Sequence, residues 1–129
     1  MEDLFKLYNQ LKLLTESEKK YIEEGDFEGL KQKLAEKDKL MEKIDKIDQK
    51  KYFAKLAFSM DRAELKKKRD DLMELMKNIS KIQSKNMDRV EKKKKENKEK
   101  MISLYSREKS IKGYLNSDKY EAKFFDEKS

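Results

Sequence analysis

The sequence reads as an all-α fold: a long antiparallel helical hairpin or three-helix bundle with coiled-coil character, and a bent or fourth C-terminal helix. Three observations carry that reading. The chain has no proline and only three glycines in 129 residues, at Gly25, Gly29 and Gly113. These residues punctuate loops and turns, so few places remain where the chain can reverse, and a sheet needs many. Apolar residues recur at three- and four-residue intervals over long stretches, as on one face of a helix. Charged residues make up 47% of the chain against 36% hydrophobic. A chain this poor in apolar residues folds only where a narrow seam suffices, as it does between long paired helices.

The first helix is expected over about residues 2–23. Leu4, Leu7, Leu11, Leu14 and then Tyr21 or Ile22 form one stripe close to a heptad seam, widened by Phe5 and Tyr8. Glu24-Gly25-Asp26 ends it. Glycine suits the left-handed conformation that closes a helix, and the Asp26 carboxylate accepts from free amides of the next turn. So short a connection returns the second helix antiparallel to the first.

The second helix is expected over residues 27–58, with Leu30, Leu34, Leu40, Met41, Ile44 and Ile47 continuing to Tyr52, Phe53, Leu56 and Phe58. Gly29 in its first turns costs about 1 kcal/mol relative to alanine. A second break is placed near Ser59 to Asp61, where Ser59 or Asp61 could cap the next helix; no glycine marks the turn, and a single helix running straight through is the competing reading. The third helix is expected over residues 62–111, with a seam of Leu65, Leu72, Met76, Ile79, Gln83, Val90, Met101, Leu104 and Ile111. The polar run Glu91 to Lys100 interrupts it. A helix that long spans about 75 Å and its partner about 48 Å, so it outruns the partner near residue 93. The segment beyond either projects or folds back through a bend in the polar run. Residues 1–112 thus form the bundle. Residues 113–129, polar except for Tyr114, Leu115, Tyr120, Phe124 and Phe125, are expected to be a disordered tail.

Several function classes fall away. Without cysteine or histidine there is no disulfide, zinc-thiolate site, thiol nucleophile or imidazole base. No catalytic, cofactor-binding or metal site is expected, and no glycine-rich phosphate loop appears. Asp70-Asp71 and Glu23-Glu24 are sequence neighbours that diverge on a helix, so they read as solvated charge. No run of about 18 apolar residues exists to span a membrane, and the first twenty residues lack a secretory pattern. A cytoplasmic location is expected. The net charge is +7 and is read as spread along most of the chain. Lys92 to Lys95 is the strongest nucleic-acid feature. Glutamates flank it, no aromatic interleaves it to stack on bases, and no arginine lies there to read a base edge. A solvated helical segment is the better reading.

The apolar stripe of residues 101–115 is a candidate partner-binding surface, since an amphipathic helix with Met, Leu, Ile and Tyr fits a groove or accepts a partner helix. The same stripe serves equally well as core. A structural coiled coil that homodimerises through the third helix is the alternative, and a basic helical protein binding nucleic acid is a third reading.

Over residues 14–41 the sequence resembles the flagellar export chaperones of the FlgN/FliT type. The likeness rests on Glu18, the apolar pair Tyr21-Ile22, the Gly25-Asp26 turn, Glu28, Leu30, Lys37 and Leu40. The tail GYLNSDKYEAKFFDEKS also looks like the ends of some Gram-positive members. The resemblance implies a cytoplasmic chaperone without a cofactor. Such a protein binds helical terminal segments of hook-associated or other axial subunits and delivers them to the export apparatus. It also implies that the C-terminal helical region binds or masks, which points to Met101, Leu104, Tyr105 and Ile111.

Overall fold

The computed structural model describes residues 3–107. Five helices occur among them: α1 (Leu4–Glu24), α2 (Phe27–Asp45), α3 (Gln49–Leu56), α4 (Arg62–Glu91) and α5 (Lys95–Arg107). Aspartate starts each of the first four. Asp3 accepts from the Phe5 amide at 2.9 Å, Asp26 from Gly29 at 2.9 Å, Asp48 from Lys51 at 3.2 Å and Asp61 from Glu64 at 2.8 Å. Each bond satisfies an amide that the first helical turn leaves without a backbone partner.

Gly25 ends α1 in the left-handed region, at φ 69°. Its amide donates to the Ile22 carbonyl at 3.1 Å, and the Asp26 amide reaches the Tyr21 carbonyl at 2.8 Å. This paired closure leaves α2 running back along α1. The start of α1 therefore meets the end of α2. Leu4, Leu7, Tyr8 and Leu11 pack with Leu40, Met41 and Ile44, and with Leu72, Met76 and Ile79 of α4. At the turn end, Ile22 packs with Leu30, Leu34 and Val90. Helix α4 accordingly runs parallel to α1 and antiparallel to α2.

Two expected helices are each divided. The one read over 27–58 stops at Asp45 and restarts at Gln49. Asp48 offers its carboxylate to the Lys51 amide and so competes with continuation of the helix. The break brings Tyr52 and Phe53 onto the first cluster, edge to face with ring centroids 5.4 Å apart. The Tyr52 hydroxyl donates to Asp3 at 3.1 Å. Burial first, then the Asp3 carboxylate, push its pKa up to about 12.

The helix read over 62–111 stops at Glu91, and α5 begins at Lys95. Met101 and Leu104 bury their side chains only by returning to Ile22, Leu30 and Leu34, so the polar run becomes a reversal. Lysines 92 to 94 make the turn. Lys93 donates its ammonium to the Glu23 carbonyl at 2.6 Å, where α1 leaves its last carbonyls unpaired. Lys98 pairs with Glu91 across the turn at 2.8 Å. The lysine run thus fastens the ends of α1, α4 and α5. The seam residues Leu72, Met76, Ile79, Gln83 and Val90 are buried within one chain. The tail expected over 113–129 lies outside the described residues.

Gly29 is an open test of how tightly the first turn closes. A Cβ there would stand 2.4 and 2.5 Å from ring carbons of Tyr21 and 2.7 Å from the capping Asp26 carboxylate. Helix propensity favours Gly29→Ala by about 1 kcal/mol. Crowding opposes it, and overpacking of this kind costs about 1–3 kcal/mol. Gly29→Ala is expected to lower the urea midpoint. A raised midpoint would show that Tyr21 yields freely.

Candidate functional site

Midway along the bundle the apolar seam is interrupted on every helix that crosses it. Helix α1 presents Thr15 and Glu18, α2 Lys37, and α4 Gln83 and Asn86, all buried. Each occupies a seam position. Glu18 lies between Leu11 and Ile22, Lys37 between Leu34 and Met41, and Gln83 between Ile79 and Val90. Gln83 is read as part of the seam from its spacing; the same periodicity marks Thr15, Glu18, Lys37 and Asn86, which only their polarity disguised.

The Lys37 ammonium stands 2.8 Å from a Glu18 carboxylate oxygen and donates to the Gln83 side-chain carbonyl at 3.0 Å. The Tyr105 hydroxyl, arriving on α5, donates to the other Glu18 oxygen. One turn on, the Asn86 amide donates to the Thr15 carbonyl at 2.8 Å, and Arg89 donates to the Asn86 side-chain oxygen at 2.8 Å. Glu18, Lys37, Gln83 and Tyr105 therefore join four helices in one polar layer. An ion pair taken this far from water depends on such additional hydrogen bonds.

The layer divides the interior. On one side lies the larger cluster of α1, α2, α3 and α4; on the other a smaller one that includes α5. Among the expected partner-binding residues, Met101 and Leu104 are buried in the smaller cluster, 1% and 7% exposed, and Tyr105 packs at its edge. Ile111 lies outside the described residues. Helix α5 packs on α2 and α4 and, at 13 residues, covers about 20 Å of the bundle. The 30-residue α4 runs about 45 Å. The α5 stripe is thus folded against the protein's own bundle rather than presented to solvent. Among the described residues there is no group of three acidic side chains able to hold a metal, and no helix long and apolar enough to cross a membrane.

Burial holds the Glu18 carboxyl above its ordinary 4.5, against the opposing pull of Lys37 and Tyr105. An acid with a raised folded pKa keeps its proton in the folded chain after the unfolded chain has ionised. Its contribution to stability is full below the unfolded value and is lost as pH rises through the folded one. As pH rises from 4.5, the native protein is expected to lose stability relative to Glu18→Gln, which keeps the shape but does not titrate. Denaturant unfolding of both proteins at several pH values checks this, and a constant difference would refute it. Separately, Lys37→Met strands a buried carboxylate and should cost about 3–5 kcal/mol. Glu18→Leu/Lys37→Met together should cost clearly less than that single change, as a double-mutant cycle would read.

Comparison with known proteins places this architecture. No curated protein and no solved structure matches the chain. A family model does, described as FlgN protein, and it spans residues 1–121. That span takes in all five helices, the Gly25-Asp26 turn and the polar layer. The chain belongs to the FlgN family, the flagellar export chaperones.

Proposed function

We propose that this chaperone holds the helical terminal segment of a flagellar axial subunit, of the hook-associated, cap or filament kind. It thereby prevents premature assembly and delivers the subunit to the export apparatus in the cytoplasm. The binding surface is the apolar face of α5, with Met101, Leu104 and Tyr105 and, further along the same stripe, Ile111. The observation that carries this is the separateness of the α5 cluster. The polar layer stands between it and the main core, so α5 leaves by uncovering Ile22, Leu30, Leu34 and Val90 without opening the larger cluster that α1, α2, α3 and α4 share.

The energies suit such a release. Burying Met101 and Leu104 contributes about 3–6 kcal/mol. A client held at micromolar affinity supplies about 8 kcal/mol. Tyr105 and Glu18, which α5 uncovers on leaving, are polar and regain hydration. A client helix with a comparable apolar stripe therefore competes for the Met101 and Leu104 face. The chemistry is recognition alone; it needs no cofactor and makes no bond.

Calorimetric titration with C-terminal helical segments of axial subunits is the direct test. Saturable one-to-one binding to one segment is the expected result, and binding to none would remove the proposed client class. Met101→Glu/Leu104→Glu/Tyr105→Glu should abolish that binding while helicity falls by no more than the share of α5. Unchanged affinity in the folded triple variant would remove these residues from the site. Increased affinity would make α5 a cover over the site instead of part of it.

A further inference from the structure

At the end of the bundle opposite the Gly25 turn, charge and apolar surface coincide. Between Gln49 and Arg69 stand eight lysines and arginines, with Asp61 and Glu64 as the only acids, in a chain whose whole excess is +7. The excess is therefore concentrated here and not spread along the chain as its composition suggested. Asp70 and Asp71, the next two residues of α4, bound the patch. Of the two acids inside it, Asp61 is engaged in capping α4.

Within this patch α3 and α4 leave a shallow groove. Phe53, Ala54, Ala57 and Leu65 line it, and Lys50 and Arg69 stand at its sides. The Arg69 guanidinium lies over the Phe53 ring at 5.5 Å, which fixes it at the rim. Next to the groove, in the turn between the helices, Phe58 is 92% exposed. A large aromatic ring left in water beside an apolar groove has no role in the core of this chain.

We propose that this groove is a second docking surface, for an acidic amphipathic helix of another protein. Two features select that partner. Ala54 and Ala57 present small side chains, so a helix backbone can approach closely, as interaxial distance follows the side chains at the contact. The cations at both sides match acidic residues flanking an apolar stripe and repel basic ones. Phe58 supplies the aromatic anchor such contacts centre on. The 8-residue α3 is about 12 Å long and matches two to three turns of the incoming helix. The surface is remote from α5, so it neither needs client binding at Met101 and Leu104 nor interferes with it.

The test uses the full chain, isotope-labelled for NMR, and a synthetic 14-residue helical peptide with a leucine stripe flanked by glutamates. A peptide with the same stripe flanked by lysines is the control. Saturable shifts confined to α3 and the first turns of α4, with the glutamate peptide only, are the expected result. Phe58→Asp should weaken that binding about tenfold, as loss of an anchor does. Lys50→Glu should weaken it too and make it less sensitive to salt. Both positions are exposed, so the variants should keep the native spectrum elsewhere. No shifts, shifts outside α3 and α4, or equal binding of the lysine peptide would overturn the proposal. Binding to vesicles of anionic lipid without binding to the glutamate peptide would also overturn it and identify a membrane-surface site.

Discussion

Everything in this bundle is aligned on one buried ion pair. Glu18 and Lys37 meet at 2.8 Å with neither side chain reaching water. The pair is not where the stability comes from, since well-packed apolar residues of similar volume often do as well or better. It selects an arrangement. Leucine, isoleucine and methionine tolerate sliding along a heptad seam, because one apolar residue replaces another after seven positions. A slide of one heptad here would set Lys37 against Leu11 or the Gly25 turn and leave both charges without partners in a dry interior. The Gly25 closure, the antiparallel register of α1 and α2, and the placement of Gln83 and Tyr105 all agree with the one register that joins the pair.

The same layer sets a hierarchy among the helices. Below it, three helices and the short α3 share a cluster of twelve buried residues. Above it, α5 completes a cluster of six. Two of those six, Met101 and Leu104, are all that α5 contributes among fully buried apolar residues, with Tyr105 tied to Glu18. Elements held by few apolar contacts open at lower free energy than the core they rest on. The division lets α5 rearrange while the larger cluster keeps its fold.

Charge is also divided along the long axis. At the Gly25 end two lysines are absorbed locally, Lys93 on the Glu23 carbonyl and Lys98 on Glu91. Those between Gln49 and Arg69 surround exposed Phe58 and a groove floored with alanine. Two runs that look alike in composition thus differ in what they do. One neutralises helix ends inside the fold, and the other forms a surface that outside groups can meet.

The helical class, the Gly25-Asp26 reversal and the start of α4 at Asp61 were legible because their causes are local. A left-handed glycine and an aspartate capping the third amide onward act within four residues. The resemblance around Glu18, Gly25, Asp26 and Lys37 was legible for the same reason, as a pattern along one hairpin. The Asp48 cap was equally local and equally readable, but an apolar stripe that continued past it argued for one unbroken helix. The sequence by itself determined which segments are helical, where α1 turns, and which positions face a seam. Only the tertiary structure decided that Glu18, Lys37, Gln83 and Tyr105 form one layer, and that α5 returns over Ile22 and Leu34. Burial is a property of where several helices meet, and a polar residue on a seam shows its role only when its partner, 19 or 87 residues away in the chain, arrives opposite it.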